Sequence, residues 1–456
     1  MKAGKPGGGG PPKSGSRASA TSRGRGPGGK RDSAGKRDRD SAGKRAGDSR
    51  ARGDEARPRE RATGSREAAA LTALLRFTEP ADVALRRFFA EHPEMGRADR
   101  GRVAERLYDI LRHRRLYAHL AQSGQGPLAE RLLAVHDARE RIDTDGLLPE
   151  IRLSLPDWLA SRLAAQLSPE DFESLGRSLL EPAPLDLRVN LIRTDLAAAR
   201  QSLAGEGIAA EPLTLAQLAL RVQGKPALER TQAFLRGDVE VQDAGSQLLA
   251  HLAAPRRGQT VVDFCAGAGG KTLALAALMR GSGQVFACDI SAARLTRLRP
   301  RLARSGASNV QPFGIDNEHD LKLERLAGRA DVVLVDSPCS GTGTLRRNPD
   351  LKWRFDPASL AALAATQRSI LAAAARLVRP GGALVYATCS LLDEENDAVR
   401  RDFERDFPDW RVDPAAAVLA RQGIDLAPLV DPEALVLRTD LHGTDSFYAV
   451  RWLRPA

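Results

Sequence analysis

Four cysteines in 456 residues, all between Cys265 and Cys389, are too few and too clustered for a disulfide framework. A chain of this length buries enough apolar surface without staples, so the pattern points to a reducing compartment. No CxxC pair occurs, and the seven histidines are not spaced to complete a ligand set, which argues against zinc. An uninterrupted apolar run of membrane length is missing. The first residues, with Lys2 and Lys5 ahead of GGGGPPKSGS, have no apolar core for an export signal. These absences predict a cytoplasmic protein with no membrane or metal partner and, by default, a monomer. Net positive charge is also missing from the body of the chain. Net charge is +11, yet residues 1–66 hold six Lys and thirteen Arg against seven acidic residues, leaving the remainder close to neutral. Any affinity of that remainder for nucleic acid must come from local patches.

Composition divides the chain in four. Residues 1–66 are Gly, Ser, Arg, Lys, Asp and Pro with almost nothing to bury, which predicts a disordered basic tail. RDSAGKR at 31–37 recurs at 39–45. Such an arm either attracts RNA phosphates or simply solubilises. Residues 67–180 read as a small helical domain. Leu71, Leu74, Leu75 and Phe77 begin an apolar stripe, and Val83, Leu85, Phe88 and Phe89 continue one after Pro80. In RVAERLYDILRHRRLYAHL, Val103, Leu107, Ile110, Leu111 and Leu116 fall at helical spacing, and Pro156-Asp157-Trp158 marks another helix start. Around the stripe lie Arg97, Arg100, Arg102, Arg106, Arg112, Arg114 and Arg115, with Tyr108, His113 and Tyr117 interleaved. This surface is either a solvated helix face or an RNA-binding one. Residues 181–250 alternate strand-like and helical stretches, an α/β connecting subdomain. From 251 to 456 the alternation becomes regular, with strands expected at 259–266, 283–290, 309–316, 331–338 and 381–388. A hairpin-like pair at 434–440 and 446–453 closes a doubly wound, mostly parallel sheet.

The first of these strands runs into VVDFCAGAGGKT, with Gly267, Gly269 and Gly270 ahead of a helix. Glycines at a strand-to-helix turn let a ligand approach the backbone, and the helix N-terminus favours negative charge. A phosphate-cradling loop is a poor match, because Cys265 stands where its first glycine belongs. The next strand ends at Asp289, placed to take the two ribose hydroxyls of an adenosine-containing cofactor, and the third at Asp316, placed for the adenine edge. The lesser reading of both, given their regular spacing, is as loop-capping acids. Cys265 and Cys288 lie inside apolar stretches and read as core.

The fourth and fifth strands carry the chemistry. DVVLVDSPCSGTGT at 331–344 is a buried strand delivering Asp336 and Cys339 at its exit, and GGALVYAT at 381–388 delivers Cys389 and Ser390. In open α/β sheets the ligand crevice lies beyond the carboxyl ends of the strands. Two thiols at neighbouring strand exits with an acid beside one call for a chemical role rather than burial.

DSPCSGTG at 336–343 and ATCSLLDEEN at 387–396, behind DFCAGAGGKT, resemble the RsmB/NOP (Fmu/Sun) family of S-adenosylmethionine-dependent RNA cytosine-C5 methyltransferases. LRVN at 187–190, VQDAGSQ at 241–247 and DSFYAVRW at 445–452 extend the resemblance from about Leu185 to the C-terminus, and the helical region is more loosely similar to NusB. Ala268 stands in place of a usual Pro, and Ser337 in place of a usual Ala. The resemblance implies a Rossmann-like class I methyltransferase sheet behind a NusB-like RNA-binding domain. It implies S-adenosylmethionine (SAM) as cofactor, held by Cys265, Ala266, Gly267, Ala268, Gly269, Gly270, Lys271, Asp289, Asp316 and Asp336. It implies RNA, most readily 16S ribosomal RNA, as partner. Catalysis would fall to Cys389 as nucleophile on cytosine C6, Cys339 in release of the adduct, Asp336 on the base edge and Lys271 against developing charge. Arg346, Arg347, Lys352, Trp353 and Arg354 follow the first cysteine and are expected along the RNA path, with a core anchor the other reading of Trp353. The alternatives are a transfer-RNA substrate or an RNA-binding assembly factor without catalysis. Methylation of an amide or exocyclic nitrogen is disfavoured, because such sites carry an (N/D)PP(Y/F/W) loop and need no thiol.

Overall fold

The computed structural model describes residues 66–456; the basic tail before them lies outside the described residues. Helices at 66–74, Ala81–Glu91, Arg97–Arg112, Arg114–Leu120 and Leu128–Asp137 form a bundle around Leu71, Leu74, Leu85, Leu107, Ile110, Leu111 and Leu132. The expected stripe Val103–Leu107–Ile110–Leu111 is buried as its spacing requires, whereas Val83 faces outward. Two further helices, Asp157–Gln166 and Pro169–Ser178, pack Leu159, Leu163 and Leu175 onto Leu345, Leu360 and Leu392. Leu345 and Leu392 follow the two strand-exit cysteines, so these helices rest on both cysteine loops.

Residues 185–241 form an α/β plait, and the helix Ala244–Ala253 after it packs into the core of the main sheet. Strands β1 (Leu185–Val189), β2 (Ala210–Leu213), β3 (Ala216–Val222) and β4 (Val239–Val241) pair antiparallel in the order β2-β3-β1-β4. Helices Leu196–Gly205 and Gln232–Leu235 fall after β1 and β3. That is the βαββαβ succession of a ferredoxin-like unit.

The large sheet holds β5 (Thr260–Asp263), β6 (Gln284–Asp289), β7 (Val310–Gly314), β8 (Ala330–Asp336), β9 (Val378–Thr388), β10 (Arg411–Val412), β11 (Leu435–Leu437) and β12 (Phe447–Leu453). Its order is β10-β12-β9-β8-β5-β6-β7, with β11 beside β12. β5 to β9 are mutually parallel where they pair, and β12 runs antiparallel to β9. The five parallel strands fall where the apolar runs place them. The closing pair does form, but β12 is itself a strand of the main sheet, and the two-residue β10 had no pattern to announce it. Successive residues feed opposite faces: Val261, Val332 and Leu334 join one core, Val262, Val333 and Val335 the other. Helices cover both faces. One helical stretch, Pro357–Ala375, is long and apolar enough to cross a membrane by composition; here Leu371 and Ala374 on it are buried in the second core.

The arginine expectations are corrected at the seam between bundle and sheet. Lys352 Nζ donates to the Arg112 carbonyl at 2.9 Å and Trp353 Nε1 to the Leu111 carbonyl at 2.9 Å. They satisfy the last carbonyls of helix Arg97–Arg112, which have no partners within the helix. Arg346 is buried; Arg347 donates to Asp445 at 2.6 Å and Asp243 at 2.8 Å; Arg354 donates to Asp350 at 3.2 Å. This segment is therefore a docking plug rather than an RNA path. The bundle's own arginines are also largely engaged inside the protein. Arg112 is buried, Arg106 pairs with Glu67, Arg100 and Arg115 bond to backbone carbonyls, and Arg114 lies over the Trp353 ring at 4.9 Å, while Arg97 and Arg102 stay exposed.

Candidate active site

A cavity of about 570 Å³ opens beyond the carboxyl ends of β5, β6, β7 and β8, where the strand order reverses on either side of β5. One end is built by the glycine loop. Ala266, Gly267, Ala268, Gly270 and Lys271 line it, and the helix Gly270–Leu278 points its N-terminus there. Gly269 does not line the cavity. It sits at φ +84°, and a Cβ there would fall 2.1 Å from Leu298 Cδ1, so its absence of side chain lets helix Ala292–Ser305 close on the loop. Asp289, nearly buried on the wall, accepts the Gly267 N–H at 2.8 Å and the Ser291 N–H at 2.7 Å, tying loop to helix. Asp316 lies on the rim with its carboxylate 86% exposed. Cys288 is core, as read; Cys265 is only partly buried and reaches the cavity wall. Burial, then the charge of Asp263, raises the Cys265 thiol well above its usual range.

The other end holds the thiols. β8 and β9 are parallel neighbours with Asp336 in register with Ala387, so residues just past each strand must meet. Cys339 Sγ lies 3.4 Å from Cys389 Sγ, and both line the cavity. The contact with Cys389, reinforced by burial, pushes the Cys339 thiol well above its ordinary value. Gly343 makes the approach of the loops possible. Its N–H donates to the Cys389 carbonyl at 2.9 Å, its carbonyl accepts the Ser446 N–H at 2.9 Å, and a Cβ would meet the Ser446 carbonyl oxygen at 2.1 Å. Between the two ends Lys271 Nζ lies 2.6 Å from Asp336 Oδ2 and 5.6 Å from the centre of the Phe447 ring. Burial opposes the lysine's charge, but Asp336 outweighs it, with help from Cys389 and Asp263, and its pKa stands above the ordinary value.

Asp263, Arg294 and Arg297 are among the wall residues that the sequence reading missed. Asp263, the last residue of β5, is completely buried; Oδ2 accepts the Thr272 hydroxyl at 2.6 Å and Oδ1 has no partner. Burial raises its pKa to about 7. Its only signal is an acid closing an otherwise apolar strand. Arg294 and Arg297 are exposed on the cavity rim, one turn apart on the helix after β6. Among the described residues, no group of three or more His, Cys, Asp or Glu is arranged to hold a metal ion.

Parallel strands in this order, a glycine loop at the switch point and acids at the next strand ends define a Rossmann-like methyltransferase fold. Residues 250–451 match the family described as 16S rRNA methyltransferase RsmB/F, and residues 155–229 match its ferredoxin-like domain. The chain is 35% identical over 299 residues to the probable ribosomal RNA small subunit methyltransferase B of Synechocystis, and 33% over 321 residues to that of Bacillus subtilis. These matches cover 65% and 69% of this chain and 66% and 68% of the relatives' own lengths. The crystal structure of a methyltransferase homolog protein from Pyrococcus horikoshii is 27% identical with a TM-score of 0.58, covering 69% of this chain and all of that one. The chain belongs to the RsmB/F methyltransferase family.

Proposed function

We propose that the protein methylates C5 of a cytosine in 16S ribosomal RNA, with SAM as methyl donor and Cys389 as covalent nucleophile. The observation that carries this reading is the pair of sulfurs 3.4 Å apart on the wall of a cavity whose other end is a glycine loop. The glycine end suits the cofactor: Gly267 and Gly270 leave the wall open, Asp289 and Asp316 stand at successive strand ends, and Asp263 Oδ1 is a buried acceptor without a partner. SAM, when bound, supplies an electrophilic methyl group.

Cytosine C5 is too weak a nucleophile to take that methyl unaided. Addition of the Cys389 thiolate to C6 forms a C–S bond and moves the C5=C6 electron pair onto C5. Once C5 carries the methyl group, loss of the C5 proton returns an electron pair to the ring and expels the Cys389 sulfur. Asp336 accepts from the exocyclic amine of the base, and Lys271 faces the negative charge that builds on the ring during addition. Cys339, in contact with the departing sulfur, assists release. The thiol must reach C6, so the base is taken flipped or from a single strand. Arg294 and Arg297 on the rim are placed for phosphates. The helical region 67–180 serves as a NusB-like module docked by its helix ends, residues 181–250 as the plait beside the crevice and 251–456 as the catalytic part. The enzyme works as a cytoplasmic monomer.

The test is a pair of variants incubated with SAM and labelled 16S RNA. Cys389→Ala abolishes methyl transfer, and Cys339→Ala accumulates a protein–RNA adduct that survives denaturing electrophoresis. Full turnover by Cys389→Ala would remove the nucleophile and the reading with it. Bisulfite sequencing of RNA from a deletion strain identifies the cytosine.

A further inference from the structure

The two cysteine loops leave different strands, yet one buried carboxylate joins them. Glu395 is completely buried in the turn Asp393–Glu395. Its Oε1 accepts the Ser340 backbone N–H at 2.8 Å and Gln367 Nε2 at 3.0 Å. Its Oε2 accepts the hydroxyls of Ser340 and Ser390, each at 2.5 Å. Ser340 follows Cys339 and Ser390 follows Cys389, so the residue next to each sulfur is tied to the same group. Gln367 also donates to the Pro338 carbonyl at 2.9 Å, fixing the first loop from the far side.

All four donors to Glu395 are neutral. Burying a carboxylate in such a place is costly, and apolar packing would serve stability as well or better. What a carboxylate adds is direction, through several short acceptor bonds, and charge. Hydrogen bonds to an ionised group are the strong, geometrically demanding kind.

We propose that Glu395 is the positioning residue of this active site, holding the Cys339 and Cys389 loops in one register so that their sulfurs remain in contact. The inference rests on the two-thiol reading above and deepens it. Its charge also bears on the thiols unequally. Glu395 adds to the rise in the Cys339 thiol's pKa, behind the Cys389 contact and burial, while Lys271 interacts with Cys389. Glu395 thus helps keep Cys339 a thiol.

Glu395→Gln keeps the size but removes the charge and turns one acceptor into a donor, so the four donors now divided between Oε1 and Oε2 can no longer all be accepted. Three readouts are compared with the unaltered protein: SAM affinity by calorimetry, single-turnover methyl transfer, and the pH dependence of iodoacetamide alkylation at Cys339 and Cys389 by peptide mass spectrometry. SAM affinity stays within about twofold, transfer falls by about tenfold or more, and the Cys339 alkylation profile moves to lower pH. Alkylation does not depend on the substrate. If the unaltered protein methylates no RNA but the Cys339 profile still moves, the function fails and the positioning role stands. An unmoved profile with normal turnover overturns the proposal, and so does loss of activity matched by equal loss of SAM affinity with the profile unmoved. Should Glu395→Gln not fold, Ser390→Ala removes one of the four bonds to Glu395, together with the acceptor of the Leu392 N–H. It slows transfer severalfold at unchanged SAM affinity, and normal turnover in that variant overturns the proposal equally.

Discussion

Lys271 Nζ and Asp336 Oδ2 stand 2.6 Å apart across the crevice between β5 and β8, joining the glycine end of the cavity to the sulfur end. Burial works to strip the lysine of its proton; the carboxylate prevents it. In Asp336→Asn burial is opposed only by the more distant Cys389 and Asp263, the lysine's pKa falls, and the proton is lost at lower pH. The alkaline limb of the methyl-transfer rate profile should therefore move down by about one pH unit or more. Single-turnover rates measured across pH test this, and an unmoved limb would mean that Lys271 is not a working cation.

Gly343 is caught between backbones. A methyl group there would meet the Ser446 carbonyl oxygen at 2.1 Å and the Cys389 carbonyl oxygen at 3.0 Å, and neither is a flexible side-chain end. Gly343→Ala should destabilise by about 2 kcal/mol, the usual scale of overpacking. Because the Cys389 carbonyl is among the atoms that must give way, methyl transfer should fall further than the loss of folded protein explains. Urea unfolding and single-turnover rates on the same preparation separate the two effects.

Lys352 is almost fully buried against the end of helix Arg97–Arg112, and burial, with Arg112 nearby, lowers its pKa to about 7. In the unfolded chain it titrates near its ordinary value, so between these values the unfolded state binds more protons. Stability then rises as pH climbs through this window. The difference in unfolding free energy between the unaltered protein and Lys352→Met should change by about 2 kcal/mol in the lysine's favour from pH 7 to 9. Denaturant titrations at the two values measure it; a pH-independent difference would show that Lys352 keeps its proton in the folded chain as it does in the unfolded one.

Asp263 gives the opposite slope. Its folded pKa, raised to about 7 by burial, exceeds that of an unfolded aspartate, so the folded state binds the extra proton. That stabilisation is complete below the unfolded value and is lost as pH rises toward 7. Asp263→Asn, which stays neutral, should be more stable than the unaltered protein at pH 8 by a margin on the order of 3 kcal/mol, and much closer to it at pH 4. Urea midpoints at both values decide this.

The parts legible in the sequence are those governed by local rules. Val332–Val335 is an apolar β-branched run closed by Asp336 and Pro338, and such runs have nowhere to go but a buried strand. Strand ends in a parallel sheet share one edge, so Asp289, Asp316, Asp336, Cys339 and Cys389 could be assigned to one crevice before any contact was known. The arginines fared differently. RRNPDLKWR reads as a cationic stretch, and nothing in its composition says that Lys352 and Trp353 meet the carbonyls of Leu111 and Arg112 from a distant helix. Charge along a chain is local, whereas the partner that neutralises it is not. Gly269 shows the same limit: its spacing marks a ligand loop, but its missing side chain accommodates Leu298 instead.

The amino-acid order alone determined that a glycine loop, three acids and two thiols lie at the exits of parallel strands, because side-chain hydrophobicity and turn chemistry act over a few residues. Only the folded chain decided that the two sulfurs touch, that Lys271 faces Asp336, and that Glu395 ties both cysteine loops. Those are contacts between segments dozens of residues apart, set by strand register and helix packing. No periodicity encodes them.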